Sequence, residues 1–115
     1  MMDNCLFCQI ANKKVPANII YEDHDVIVID DIHPKAPIHK LIIPKTHIAT
    51  VNDMTHEHKE LLGHMIHTAK EVAKKLGIAD NGYRLIMNCN ADAGQVVFHI
   101  HAHLIGGRSL GWHPG

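Results

Sequence analysis

The stretch Phe98-His99-Ile100-His101-Ala102-His103-Leu104-Ile105 alternates three histidines with apolar residues. A period of two is the mark of a strand with one buried face. On such a strand His99, His101 and His103 project from the same side, with neighbours about 6.5–7 Å apart. Three imidazoles on one face can converge on a single phosphate or a single metal. A polar ring buried without a partner costs about 1–3 kcal/mol, so a purely structural face would carry Val or Ile there. The bland alternative is a polar strand face in a chain that holds twelve histidines. The consistently apolar opposite side argues against it.

Outward from this stretch the chain reads as short strands around one long helix. Ile19 to Glu22 and the β-branched run Val26-Ile27-Val28-Ile29 are strands separated by the turn Asp23-His24-Asp25. Asp30 to Pro37 holds two prolines and is a loop. Ile38 to Ile43 is a third strand that stops at Pro44. The long helix is expected from Thr55, an acceptable N-cap, to Leu76, with Gly77 as its left-handed terminator. Its apolar stripe is Leu61, Leu62, Met65, Ile66, Ala69, Val72, Ala73 and Leu76. His56, His58, His64 and His67 fall outside the stripe and read as a solvated face. A fourth strand, Tyr83 to Cys89, follows the turn Asp80-Asn81-Gly82, and the polar loop 90–95 leads into the histidine strand. With a short first helix from Cys5 to Ala11, these elements predict an α+β domain: a five-stranded antiparallel sheet with one long and one short helix.

The 115 residues suffice for one compact domain, 1–115, and not for two. A formal charge of −1 supplies no basic stripe, so nucleic acid is not expected as a partner. The sequence has no signal-peptide pattern and no apolar run near 18 residues, so no membrane association is expected and the cytoplasm is the expected compartment. Three cysteines, Cys5, Cys8 and Cys89, leave an odd one over, which fits reduced thiols better than a disulfide framework.

The chemistry of the triad favours phosphoryl transfer. A neutral imidazole is a competent nucleophile toward phosphorus and divides one hard displacement into two easier ones. It needs its other nitrogen held by an acceptor and N–H or cationic donors around the phosphate oxygens. The central ring, His101, is the natural attacker. The small-residue loop through Gly94 and Gln95 can bring backbone N–H groups to the phosphate.

His-Ile-His-Ala-His-Leu-Ile at 99–105, followed by Gly106-Gly107-Arg108, resembles the motif of the histidine triad family of nucleotide hydrolases and transferases. The resemblance extends through Leu6-Phe7-Cys8-Gln9-Ile10, Ala36-Pro37-Ile38-His39, Ile43-Pro44-Lys45-Thr46-His47 and the tail Trp112-His113-Pro114-Gly115. The tail and Gly106-Gly107-Arg108 are most similar to the Hint branch, the purine nucleoside phosphoramidases. The resemblance implies hydrolysis of purine nucleoside 5′-phosphoramidates through a nucleotidyl-His101 intermediate. It implies His103 against the phosphate, His99 and His39 as supports of the nucleophile, and Asp31 on the ribose. It also implies an apolar base slot from Ile32, Leu6, Phe7, Ile10 and Ile29, and phosphate-side contacts from Asn88, Gly94, Gln95, Val96 and Val97. Plain core packing is the alternative for the apolar members. One departure stands out: Hint members commonly carry serine where this chain has Val96, so a side-chain donor is missing. The family implies a homodimer with a continuous sheet, which Trp112 is placed to reach.

Cys5-x-x-Cys8 is half a zinc site by spacing, and the resemblance supplies His47 and His99 as the other half. The structural alternative is a pair of reduced cysteines packed under a helix, and a thioredoxin-like redox role lacks its strand-to-helix context. Cys89 reads as a buried strand residue. Catalysis on this reading requires no cofactor, and the zinc is structural. Two other functions compete: a zinc-dependent hydrolase with its ion on His99, His101 and His103, and a purine nucleotide-binding regulator with little turnover.

Overall fold

The computed structural model describes residues 4–112 and 114, so His113 and Gly115 of the tail motif lie outside the described residues. Helix α1 (Leu6–Ala11) is followed by strands β1 (Ile19–Glu22), β2 (Val26–Asp30) and β3 (Ile38–Pro44). Helix α2 (Lys59–Lys75), β4 (Tyr83–Ile86) and β5 (Ala102–Gly106) complete the fold. The strands form one five-stranded sheet in the order β1-β2-β3-β5-β4, antiparallel at every pairing.

Alternation along each strand divides the core into two layers. Val26 and Val28 of β2, Ile42 of β3, and Ala102 and Leu104 of β5 pack with Met65, Ala69, Val72 and Ala73 of α2. Ile27 and Ile29 of β2, with Leu41 and Ile43 of β3, point the other way, onto Cys5, Phe7, Cys8 and Ile10 around α1. Burial on both faces explains why β2 is an unbroken apolar run rather than an alternating one. With only 6 residues, α1 covers part of its face, and the rest stays open.

The long helix begins later than the spacing predicts. Thr55 caps a separate 3-10 turn, His56–His58, by accepting from the Glu57 N–H, and α2 starts at Lys59. Its end is as expected. Gly77 takes a φ of +77°, and the Gly77 and Ile78 N–H groups donate back to the carbonyls of Lys74 and Ala73, a left-handed termination that glycine adopts without strain.

The histidine strand is shorter than its alternation predicts, because β5 begins at Ala102. In the β3–β5 register Ala102 faces Ile42, which sets Pro44 opposite Ile100, and proline has no N–H to continue the ladder. The Ile100 N–H donates instead to the Ile48 carbonyl at 2.7 Å. Sidedness survives without the ladder only from Ile100 on: Ile100 is buried in the α2 layer, but Phe98, two residues before it on the same face, is exposed. β4 finds partners only as far as Ile86, opposite His103. Cys89, expected in a buried strand, lies beyond that end and is half-buried.

Candidate active site and metal centre

On the face away from α2, α1 and the sheet enclose a cleft of about 710 Å³, a size suited to a small ligand. Its polar wall is a chain of histidines whose protonation follows from their partners. The Lys35 N–H donates to His39 Nδ1 at 3.0 Å, so the neutral His39 ring carries its hydrogen on Nε2. That nitrogen lies 2.9 Å from His103 Nδ1 and 3.3 Å from Asp31 Oδ2. His103 Nδ1 therefore accepts, and the His103 hydrogen sits on Nε2. His101 Nδ1 is 2.8 Å from the His99 carbonyl oxygen; it must donate, which leaves Nε2 with a lone pair.

Burial keeps these rings neutral. It lowers the pKa of His39 and of His101 below the ordinary histidine value, and pushes His103 down to about 4, helped by the neighbouring His101 and His39. His101 packs against the edge of Phe7, with ring centroids 5.0 Å apart, and His103 lies 5.1 Å from it.

Asp31 stands at the cleft mouth, positioned by backbone bonds. Its N–H donates to the His39 carbonyl at 3.1 Å, and its Oδ1 accepts from the His33 N–H at 2.8 Å. The apolar wall includes Leu6, Phe7, Ile10 and Ile29, with the 85% exposed Ile32 at the rim. Asn88, Gly94, Val96 and Val97 close the opposite side, Val96 with 86% of its surface exposed. Leu41 and Lys35 also line the cleft and escaped the sequence reading. Leu41 was findable, since it sits two residues from His39 and shares its strand face. Lys35 acts on His39 through its backbone, which no sequence pattern displays.

Gln95 is placed differently from the other expected phosphate contacts. It is 7% exposed, and its side chain turns inward. Oε1 accepts from the Asn90 N–H at 2.8 Å, and Nε2 donates to the carbonyls of Ala49 and Val97 at 2.8 and 3.2 Å. It fastens the 90–97 loop to the segment beside His47.

His99 faces a second centre. Its Nε2 donates to the Pro44 carbonyl at 2.7 Å, which leaves the Nδ1 lone pair aimed at Cys5 Sγ, Cys8 Sγ and His47 Nδ1, at 3.3, 3.5 and 3.1 Å. The four ligand atoms all lie within 4.8 Å of one another. Around a tetrahedral zinc with bonds of about 2.0–2.3 Å, ligand atoms stand about 3.3–3.8 Å apart, so these residues fit that ion. Burial and the adjoining Cys5 push the Cys8 thiol up to about 11, so an ion binding here would have to displace a thiol proton.

One alternative and one expectation fail on this geometry. His99, His101 and His103 do not converge on one point, because both nitrogens of the His99 ring are engaged, by the Pro44 carbonyl and by the cysteine cluster; a catalytic ion held by all three does not fit. His64 is not merely solvated either. Its Nε2 lies 2.7 Å from Asp23 Oδ2, and Asp23 also accepts from the Tyr21 hydroxyl and from the N–H groups of Asp25 and Val26. This ties α2 to the β1–β2 turn.

A family model described as "Scavenger mRNA decapping enzyme C-term binding" matches residues 4–111. A HIT family hydrolase from Legionella pneumophila Philadelphia 1 superposes with a TM-score of 0.96 at 49% identity, covering 97% of this chain and 100% of that one. The chain belongs to the histidine triad family. Within that family it is 50% identical over 111 residues to a purine nucleoside phosphoramidase of Escherichia coli K12, covering 96% of this chain and 93% of the relative. A zinc-bound histidine triad protein from Mycobacterium smegmatis has a TM-score of 0.78 at 34% identity, covering 90% of this chain and 75% of that one. Among histidine triad proteins, then, the chain is a homologue of a phosphoramidase and resembles hydrolases across nearly its whole length.

Proposed function

We propose that the chain hydrolyses purine nucleoside 5′-phosphoramidates. The observation that carries this reading is His101: a neutral ring in the cleft wall whose Nδ1–H is fixed on the His99 carbonyl, so that its Nε2 holds the lone pair. Nε2 attacks the phosphorus, the bond from phosphorus to the amine nitrogen breaks, and that nitrogen leaves with a proton taken up from solvent. Water then splits the new bond between phosphorus and Nε2, releasing the nucleoside monophosphate and restoring the ring.

His103 donates from Nε2 to a non-bridging phosphate oxygen, where charge accumulates. His39 acts one step back, fixing the His103 tautomer. Asp31 accepts from the ribose hydroxyls, and the base occupies the apolar slot made by Leu6, Phe7, Ile10, Ile29 and Ile32. Asn88 and the backbone of Gly94, Val96 and Val97 face the phosphate side, with Gln95 holding their loop. A structural zinc on Cys5, Cys8, His47 and His99 would fix the backbone from which His99 supports His101, without entering the reaction.

Chain 1–115 is on this reading a single domain and a cytoplasmic homodimer. The free outer edge of β4 in the described residues and the 90% exposed Trp112 support an intersubunit contact, and the reduced cysteine cluster suits a reducing compartment.

The test is turnover of adenosine 5′-phosphoramidate by wild type and by His101→Ala, with metal analysis of the same batches and light scattering for the oligomer. Turnover by wild type alone supports the reading. Tight binding of the monophosphate without turnover would make the chain a nucleotide-binding regulator instead.

A further inference from the structure

The loop that presents Asp31 also governs the histidine chain, and it is held at its far end by a residue the catalytic reading does not use. At the end of β5, Gly107 adopts a φ of +94°, and a Cβ built there would come within 3.0 Å of Pro37 Cβ. Only glycine allows this approach, and it sets Arg108 beside the 31–37 loop. Arg108 Nη2 donates to the Lys35 carbonyl at 2.9 Å, while Nη1 donates to the Ser109 carbonyl at 3.0 Å. Lys35 is thus gripped on both sides: its carbonyl by Arg108, its N–H by His39 Nδ1 at 3.0 Å.

We propose that Arg108 is a positioning residue for the proposed reaction: by holding Lys35 it works with the Asp31 carboxylate, 3.3 Å from His39 Nε2, to fix the tautomers of His39 and His103. The inference rests on the assignment of His103 as the phosphate donor. With the Lys35 N–H in place, the His39 hydrogen is on Nε2, His103 Nδ1 accepts it, and His103 presents Nε2–H to the cleft. If Lys35 drifts, His39 can carry its hydrogen on Nδ1. His103 must then protonate Nδ1 to keep the pair bonded, and its Nε2 turns a lone pair toward an anionic oxygen. A donor becomes a repulsive contact, with no change of residue in the cleft.

The variants are Arg108→Met, which keeps the aliphatic stem and removes the donor, and Arg108→Lys, which keeps a donor. Imidazole nitrogen NMR reads the tautomers without reference to turnover. Wild type and Arg108→Lys should show His39 and His103 in the Nε2–H form, and Arg108→Met a mixture of forms at an unchanged melting temperature. Loss of one partly exposed hydrogen bond of this kind should lower kcat/KM on adenosine 5′-phosphoramidate about three- to tenfold. Wild-type tautomers in Arg108→Met would overturn the inference, as would a mixture that Arg108→Lys fails to correct. A wild type that turns over nothing would instead overturn the assigned reaction, while the tautomer spectra would still decide the role of Arg108.

Discussion

His101 donates its Nδ1–H to the main-chain oxygen of His99 at 2.8 Å, while the ring of His99 points away into a cluster of two thiols and a second imidazole. One residue thus faces two centres, its carbonyl orienting the attacking ring and its side chain closing a metal-ligand set. Removing the attacker should separate binding from chemistry. His101→Ala is expected to lower kcat on adenosine 5′-phosphoramidate by at least about 10³-fold, as loss of a covalent nucleophile does elsewhere. Affinity for the monophosphate should change little, because Asp31 and the apolar slot remain. Single-turnover kinetics and calorimetric titration read the two effects apart.

Acid should damage both activity and stability, with the same sign. His103 titrates at about 4 in the folded protein because burial penalises its charged form, and at about 6.5 when unfolded. Above about 6.5 both states are neutral and the group contributes no pH dependence. As the pH falls from about 6.5 toward 4, the unfolded chain gains a proton the folded chain lacks, and stability declines by up to about 1.4 kcal/mol per pH unit. Protonation of His103 Nδ1 would also set two donors against each other, since His39 Nε2–H already points there. The kcat/KM profile should be flat from about pH 8 to about pH 6 and fall on the acid side. Urea denaturation across the same range checks the stability half.

Removal of a bound zinc should act at a distance from the cleft. Chelation, or Cys8→Ser, is expected to abolish zinc stoichiometry and to lower the melting temperature by about 4 °C or more for each kcal/mol of stability lost. Activity should fall with it, because the backbone of His99 loses its anchor. An unchanged melting temperature after complete zinc removal, measured by calorimetry alongside elemental analysis, would show that the four side chains do not bind the ion structurally.

Much of this site was legible because its residues obey strong local rules. Alternation gave the sidedness of Ile100, Ala102 and Leu104, and Gly77 gave the helix end. What escaped depends on partners distant in the chain. Pro44 truncates the pairing of β5 from across the sheet, so the alternation alone predicts too long a strand. Asp23 recruits His64 from a helix face that a helical projection assigns to solvent. The inward turn of Gln95 is invisible too, because a glutamine in a glycine-containing loop reads as a ligand until the carbonyls of Ala49 and Val97 appear beside it.

Val96 offers a gain-of-function test. It is the exposed apolar member of the phosphate-side loop, where a hydroxyl would have a donor to give. Val96→Ser should raise kcat on a phosphoramidate with a poorly leaving amine by about tenfold, the worth of one hydrogen bond to a charged or developing charge. Its effect on monophosphate affinity should be small. Comparing an alkyl amine with an aromatic amine as leaving group checks this, since the benefit should shrink as the leaving group improves.

Gln95 should reveal itself as a strut rather than a ligand. Replacing it with Leu removes three hydrogen bonds at once, to Asn90, Ala49 and Val97, and leaves the Asn90 N–H and the Ala49 carbonyl without this side chain. Asn90, an exposed residue held at a φ of +70°, loses one of the bonds that keep it in the left-handed region, and the loop loses its anchor on Ala49. Gln95→Leu is therefore expected to lower stability in urea and to raise KM, because the 90–97 loop no longer holds its backbone donors in place. Gln95→Glu keeps the acceptor for Asn90 but sets a buried carboxylate oxygen against the carbonyls of Ala49 and Val97, so it should be at least as unstable as Gln95→Leu. If Gln95 instead touched the phosphate, Gln95→Leu would raise KM with little loss of stability in urea. Whether KM and stability move together in Gln95→Leu decides between the two roles.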